Sequence, residues 1–238
     1  SCLAEQAKIL VAEADENNLD LKVQNERWDR WNRCSLCEQD YHGVVRCALG
    51  WACWKTYLGR PEADRVRGGA MNLLGNGLSA ANHDEEALSL KETELALMRR
   101  LGDSESNMLI AQGNLASTYE DHGQLERALS LQRDVYVGFL KLYGKERTET
   151  LRVANNYADL LHNLNRFEEA KSLLRKTMPV ARRVLGESNE ITLIMRWNYA
   201  SALCDQRADG ATLDDLREAV TTLEEIERTG RRVLGGAH

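Results

Sequence analysis

The sequence predicts an all-α protein built from repeated helix pairs. Three observations favour this fold class: Leu, Ala, Glu and Arg are abundant, only two prolines occur, and four stretches of the chain resemble one another. Such a composition favours helices over strands, and proline would interrupt them. Because a short helix pair cannot bury both of its apolar faces, the pairs must stack on their neighbours.

Four asparagines mark the repeat most clearly. They lie in the stretches AMNLLGNGL, QGNLASTYE, NNYADLLHN and WNYASALCD, each 42 residues after the one before: Asn72, Asn114, Asn156 and Asn198. A small residue follows in every unit, at Ala87, Ala128, Ala170 and Ala219. Landmarks that keep one order in four units indicate a structural repeat. The fourth unit has seven extra residues in CDQRADGATLDD, whose composition predicts a loop.

Each unit has the pattern of two helices. In the second unit, apolar residues recur at three- and four-residue steps from Leu125 to Phe139, and Gly123 and Gly144 mark helix ends. The same pattern in the other units predicts helix pairs over 65–103, 107–145, 149–187 and 191–236. A further helix is predicted over 46–58.

The pattern Asn-Leu-Ala-x-x-Tyr at 114–119, followed by Gly123 and Leu-x-x-Ala at 125–128, resembles a tetratricopeptide repeat. The 42-residue period and the Thr-Leu pairs at 150–151 and 192–193 resemble the kinesin light chain type, although the usual His-Pro before Thr-Leu is missing. HEAT and armadillo repeats have similar lengths but lack this core pattern. The resemblance covers roughly 65–238 and implies a right-handed α-solenoid.

The resemblance also implies a binding site. In this family the first helices line a concave face, where a recurring asparagine hydrogen-bonds the backbone of an extended peptide. The four repeat asparagines match that position, and three further residues are expected on the same face: Asn155, Arg152 and Trp197. A carboxamide both donates and accepts, as a peptide group does. The alternative is that the asparagines join neighbouring helices, because a buried asparagine needs partners.

We therefore expect a protein–protein interaction scaffold or adaptor that binds a protein or peptide partner. A permanent structural subunit of a larger complex is one alternative, and an RNA-binding helical repeat is another. A net charge of -6 and a pI near 5.5 argue against nucleic acid. No run approaches the roughly 18 apolar residues that would span a bilayer, so membrane insertion is not expected.

The sequence does not predict an enzyme. His83-Asp84-Glu85 has the H-x-E of zinc deaminases, but no P-C-x-x-C follows it. Gly75-Asn76-Gly77 lacks the third glycine, the Gly-Lys-Ser and the preceding strand of phosphate-binding loops. The histidines lie apart, with no nucleophile placed beside them by a known motif.

Four cysteines fall within twenty residues near the N-terminal end. The segment CSLCEQDYHGVVRC has the C-x2-C-x4-H-x4-C spacing of a zinc knuckle, with candidate ligands Cys34, Cys37, His42 and Cys47. It lacks the internal glycines and the aromatic residue of that family. The two interpretations are one structural zinc or a set of buried thiols, and no other cofactor is indicated. Reduced thiols are typical of an intracellular, cytoplasmic protein.

The expected organisation has three parts. Residues 1–33 form a helical cap or a partial repeat, 34–64 a Cys-rich segment with a helix, and 65–238 the four repeats. The chain lacks an initiator Met and stops at Gly-Gly-Ala-His, so we expect both ends to be cuts through a longer protein.

Overall fold

The computed structural model describes residues 2–205 and 211–235, and side chains as far as residue 232. Within these residues the protein is helical, with one 3-10 turn and a single antiparallel bridge between Arg33 and Asp40 but no strand. The all-α prediction is confirmed. The helices are α1 (Cys2–Glu16), α2 (Leu21–Trp28), α3 (Gly43–Tyr57), α4 (Arg65–Ala80), α5 (Asp84–Leu101), α6 (Glu105–Asp121), α7 (Leu125–Tyr143), α8 (Thr148–Asn163), α9 (Phe167–Leu185), α10 (Glu190–Cys204) and α11 (Leu213–Gly235).

The four predicted helix pairs are α4–α5, α6–α7, α8–α9 and α10–α11, with ends within a few residues of those expected. Their first residues are 65, 105, 148 and 190, which does not confirm a strict 42-residue period. The predicted fourth-unit loop, 204–215, lies partly on residues 206–210, outside the described residues, and its last three residues, 213–215, belong to α11. The helix predicted from 46 begins earlier, at Gly43, so Cys47 lies inside α3.

The turn inside a pair has one geometry in three successive units. Asn82, Gly123 and Asn165 all adopt positive φ, between 59° and 76°. The backbone N–H of the next residue then bonds back to the last helical turn, to Leu78, Tyr119 and Leu161 respectively. This is a Schellman turn, and Gly and Asn are the residues that tolerate its left-handed position.

The chain divides into two compact units, residues 1–104 and 105–238. The first contains the predicted 1–33 and 34–64 segments together with the first helix pair. Its core surrounds Trp31, which is fully buried against Tyr57 and residues of α1, α3 and α4. In it, α3 and α4 approach closely because Gly50 and Gly77 carry no Cβ at their crossing.

The second unit stacks the remaining three pairs. Successive helices contact each other from α6 to α11, and α8 also contacts α10. The small landmarks Ala128, Ala170 and Ala219 are at most 1% exposed, as a close approach between helices requires. Arg196 is also buried, where it pairs with Glu187 and Glu225. The repeated small residues therefore mark packing sites.

Candidate functional site

The second unit has a groove between α6, α7 and α8. A cavity of about 480 Å³ adjoins one of about 250 Å³, because both are lined by Ser117, Gln132 and Asn156. We call the two together the α6–α8 groove. It has an apolar end, a polar middle and an acidic end.

The apolar end has a floor of Leu109, Val135 and Phe139, which form a buried cluster. Ile110 on α6 also lines this end and is 51% exposed. Tyr143 closes it, and its hydroxyl donates to Ser106 at 2.6 Å. This end can bury an apolar side chain of a ligand, because its floor is an apolar cluster.

The polar middle contains two predicted residues and one that sequence reasoning missed. Asn156 is exposed, and its side chain makes no hydrogen bond with any residue that the structure describes. Asn114 is half-buried on the facing helix. Gln132 of α7 is only 3% exposed, and its Nε2 donates to the carbonyl of Val153 at 3.4 Å. A polar middle of this kind offers both donors and acceptors.

The acidic end contains Glu120, Asp121 and Asp159. Burial raises the pKa of Glu120, whereas a hydrogen bond from Asn163 at 2.8 Å opposes the shift. Burial also raises the pKa of Asp159, and His162 opposes that shift. Glu120 and Asp159 therefore each carry a desolvation penalty that a bound cation would relieve.

Two arginines lie toward the apolar end. Arg147 pairs with Glu149 at 3.8 Å and its guanidinium lies 6.0 Å from the Tyr143 ring. Arg152, a predicted site residue, is exposed and forms no ion pair with any described residue. The groove thus has opposite charges at its two ends.

The other predicted residues lie elsewhere. Asn198 donates to the Oδ1 of Asn155 at 3.1 Å, which joins α10 to α8. Trp197 is 57% exposed on α10 and does not line the α6–α8 groove. Asn72 belongs to the first unit, where its Oδ1 accepts from Asn76 at 3.1 Å. The bond between Asn198 and Asn155 is therefore a contact between helices, of the kind that the alternative interpretation described.

Asn72 also hydrogen-bonds Glu94 of α5, a carboxyl that is 8% exposed. Burial raises the pKa of Glu94 to about 7, although Asn72 and the neighbouring Lys91 lower it. Lys91 is itself 5% exposed, with its stem packed over Gly75. Asn72 thus serves a buried polar cluster within the first unit.

The predicted zinc ligands are only partly brought together. Cys34 and Cys37 share a tight turn, and hydrogen bonds from the backbone N–H groups of Cys37 and Leu36 lower the pKa of the Cys34 thiol. Cys47 is instead buried between α3 and α4, where burial raises its pKa. Among the described residues, no group of three or more His, Cys, Asp or Glu is placed to hold a metal. The structure thus assembles a two-thiol turn, not the four-residue set that included His42, and zinc binding stays a prediction.

Sequence reasoning missed the contribution of α7. Gln132, Phe139 and Tyr143 all come from the second helix of their pair, although the prediction placed the site on first helices. One signal was available, because Gln132 interrupts the apolar spacing of α7 with a polar residue at a core position.

Comparison with known proteins accounts for this architecture. A tetratricopeptide repeat family model matches residues 109–147 and 150–190. The chain contains tetratricopeptide repeats. These two repeats supply α7 and most of α6 and α8, and hence most of the lining of the α6–α8 groove.

Solved structures share the fold over nearly the whole chain. The kinesin light chain nearly identical TPR-like repeats of Podosopora anserina have a TM-score of 0.65 at 18% identity, covering 97% of this chain and 96% of that one. BtubC (BKLC) from P. vanneervenii has a TM-score of 0.72 at 16% identity, covering 100% of this chain and 94% of that one. No curated protein sequence matches the chain. In the described part of the chain, every helix is too short or too polar to cross a membrane.

Proposed function

We propose that the α6–α8 groove binds an extended segment of a protein partner. Tetratricopeptide repeats generally mediate interactions between proteins. The observation that carries the proposal is the polar middle, where Asn156 presents a carboxamide that no described residue engages. An extended segment offers backbone N–H and C=O groups along its length, and a carboxamide can bond either.

The dimensions of the groove support the same role. Its larger cavity, about 480 Å³, falls within the range of roughly 300–1,000 Å³ that is common for ligand pockets. A partner side chain at the apolar end would contact Leu109 and Phe139, and burial of a leucine-sized group stabilises binding by about 2 kcal/mol. Hydrogen bonds at the polar middle would then align its backbone.

The proposed roles differ among the predicted residues. Asn114 and Asn156 bind the peptide backbone, and Arg152 lies at the rim. Asn155 and Asn198 maintain the contact between α8 and α10. Trp197 and Asn72 act outside this groove.

The test uses degenerate nonapeptides labelled with fluorescein and fixed with Leu at the fifth position. Binding is measured by fluorescence anisotropy on the wild-type chain and on the Asn114→Ala/Asn156→Ala variant. Loss of a hydrogen bond to a neutral group costs about 1 kcal/mol, so we expect the double variant to bind more than tenfold more weakly. Its melting temperature should stay close to that of the wild type.

Asn198→Ala is the matched control. It removes the partner of Asn155 and leaves the groove unchanged, so its melting temperature should fall by about 2–4 °C while peptide affinity stays the same. The proposal is wrong if the wild type binds no pool, or if the double variant binds as tightly as the wild type.

A further inference from the structure

The α6–α8 groove is chemically directional. Its acidic end has three carboxylates, Glu120, Asp121 and Asp159, and no Lys or Arg lines that cavity. The carboxylate of Asp159 forms no hydrogen bond or ion pair with any described residue. A partner with a positive charge at this point would be attracted, and one with a negative charge repelled.

A second observation points to a ligand at the same place. Gln132 is 97% buried, yet it lines both cavities. Its one hydrogen bond with the described residues is the donation from Nε2 to Val153, so its Oε1 accepts none. This amide oxygen keeps access to solvent in the groove, so a ligand N–H at this point can donate to it.

The spacing along α8 sets the distance between the two ends. Arg152, Asn156 and Asp159 follow steps of four and three, which places them on one face of the helix. Val153 lines the apolar end and Asp159 the acidic end. At about 1.5 Å per residue, they lie about 9 Å apart along the helix axis. An extended segment rises about 3.3 Å per residue, so about three of its residues span this distance.

We propose that the α6–α8 groove selects an extended segment with a bulky apolar residue and, three positions away, a lysine or arginine. The apolar side chain lies over Leu109 and Phe139, and the cation lies among the carboxylates of the acidic end. Between them, the segment donates a backbone N–H to Gln132. This inference rests on the proposed function and adds the chemistry of the partner.

The opposite choice, an acidic segment drawn to the arginines, is less favourable. Arg147 is already paired with Glu149, so the apolar end offers one unpaired cation, Arg152. The acidic end has three carboxylates in the smaller cavity, and Asp159 is the one whose carboxylate no described residue bonds. Like charges held close together in a partly dehydrated cavity repel one another, and a cation removes that repulsion.

Further pools of the labelled nonapeptides, each with a second fixed residue, test this inference. The fixed Leu is combined with Lys, Ala or Glu three positions before it or three positions after it, so either chain direction can fit. We expect one Lys pool to bind about fivefold more tightly than its Glu counterpart at low salt, with Ala between them, since exposed ion pairs each contribute modestly. The preference should shrink as sodium chloride is raised.

Charge reversal identifies the responsible residue. Asp159→Lys should invert the preference, so that the Glu pool binds better than the Lys pool. Asp134→Lys is the matched control, because Asp134 is exposed on α7 and does not line the groove. It makes the same change in net charge and should leave the preference for Lys intact. Circular dichroism melts verify that both variants fold.

The outcomes separate the two proposals. If no pool binds, or if Asn114→Ala/Asn156→Ala does not weaken binding, the proposed function fails and this inference fails with it. If the pools bind through those asparagines but show no preference for Lys, or prefer Glu, only the inference fails. The same holds if Asp159→Lys leaves the preference unchanged.

Discussion

Gly77 permits a close contact between α3 and α4, and its replacement gives a sharp stability prediction. A Cβ added at Gly77 would lie 2.9 Å from both the carbonyl oxygen of Arg46 and the Cα of Cys47. Both atoms belong to the backbone of α3, so no side chain can rotate away. Gly77→Ala must therefore move α3 relative to α4.

The magnitude follows from two opposing effects. Alanine is favoured over glycine inside a helix by about 1 kcal/mol. Overpacking of a tight core typically costs about 1–3 kcal/mol, and a clash with backbone lies at the upper end. We expect Gly77→Ala to lower the free energy of unfolding by about 1–2 kcal/mol. Gly68→Ala, on the same helix with no neighbour within 4 Å, should instead raise it by up to about 1 kcal/mol.

Urea unfolding followed by tryptophan fluorescence measures this difference. Four of the five tryptophans lie in the first unit, and a Trp197→Phe background removes the fifth. Relative to that background, the free energy of unfolding should be lower for Gly77→Ala and higher for Gly68→Ala. Equal stabilities for Gly77→Ala and Gly68→Ala would refute the idea that the glycine is required by the helix crossing.

Two further predictions concern ionisable groups of the first unit. Folding raises the pKa of Glu94 from 4.5 to about 7. Between pH 4.5 and pH 7 the folded state therefore holds a proton that the unfolded state has released. The free energy of unfolding should fall as the pH rises through this window. Glu94→Gln should reduce this pH-dependent change in the free energy of unfolding by up to about 3 kcal/mol. Urea unfolding at pH 4.5 and pH 8 measures the change. If it is equal in the variant and the wild type, the prediction is contradicted. Under native conditions iodoacetamide should alkylate Cys34, whose pKa is lowered, well before the buried Cys53, whose pKa is about 12. Peptide mass mapping over time checks this order, and equal rates would be evidence against it.

The helix pairs could be predicted from sequence because local signals agree with the fold. Apolar spacing of three and four places one face of each helix inward, and Gly123 ends α6 where it was expected to. The start of α3 was predicted three residues too late. His42 precedes the helix in an extended conformation and makes no side-chain cap, so no capping residue in the sequence indicates where α3 begins.

The candidate site was predicted in part. Asn114, Asn156 and Arg152 share the groove because their spacing keeps them on equivalent faces of α6 and α8. The same spacing could not distinguish Asn156, which faces the cavity, from Asn198 of α10, which bonds Asn155 of α8. Equivalent positions in a repeat meet different neighbours, and a hydrogen bond depends on which neighbour is within reach.

The sequence by itself determined the helical class, the four pairs and the buried alanines, since these follow from periodicity along one chain. Only the tertiary structure decided that Gln132 of α7 reaches the groove between α6 and α8, and that Cys47 lies away from Cys34 and Cys37. Both outcomes depend on the packing of one helix against another. Packing is set by contacts between residues far apart in sequence, which a local pattern does not encode.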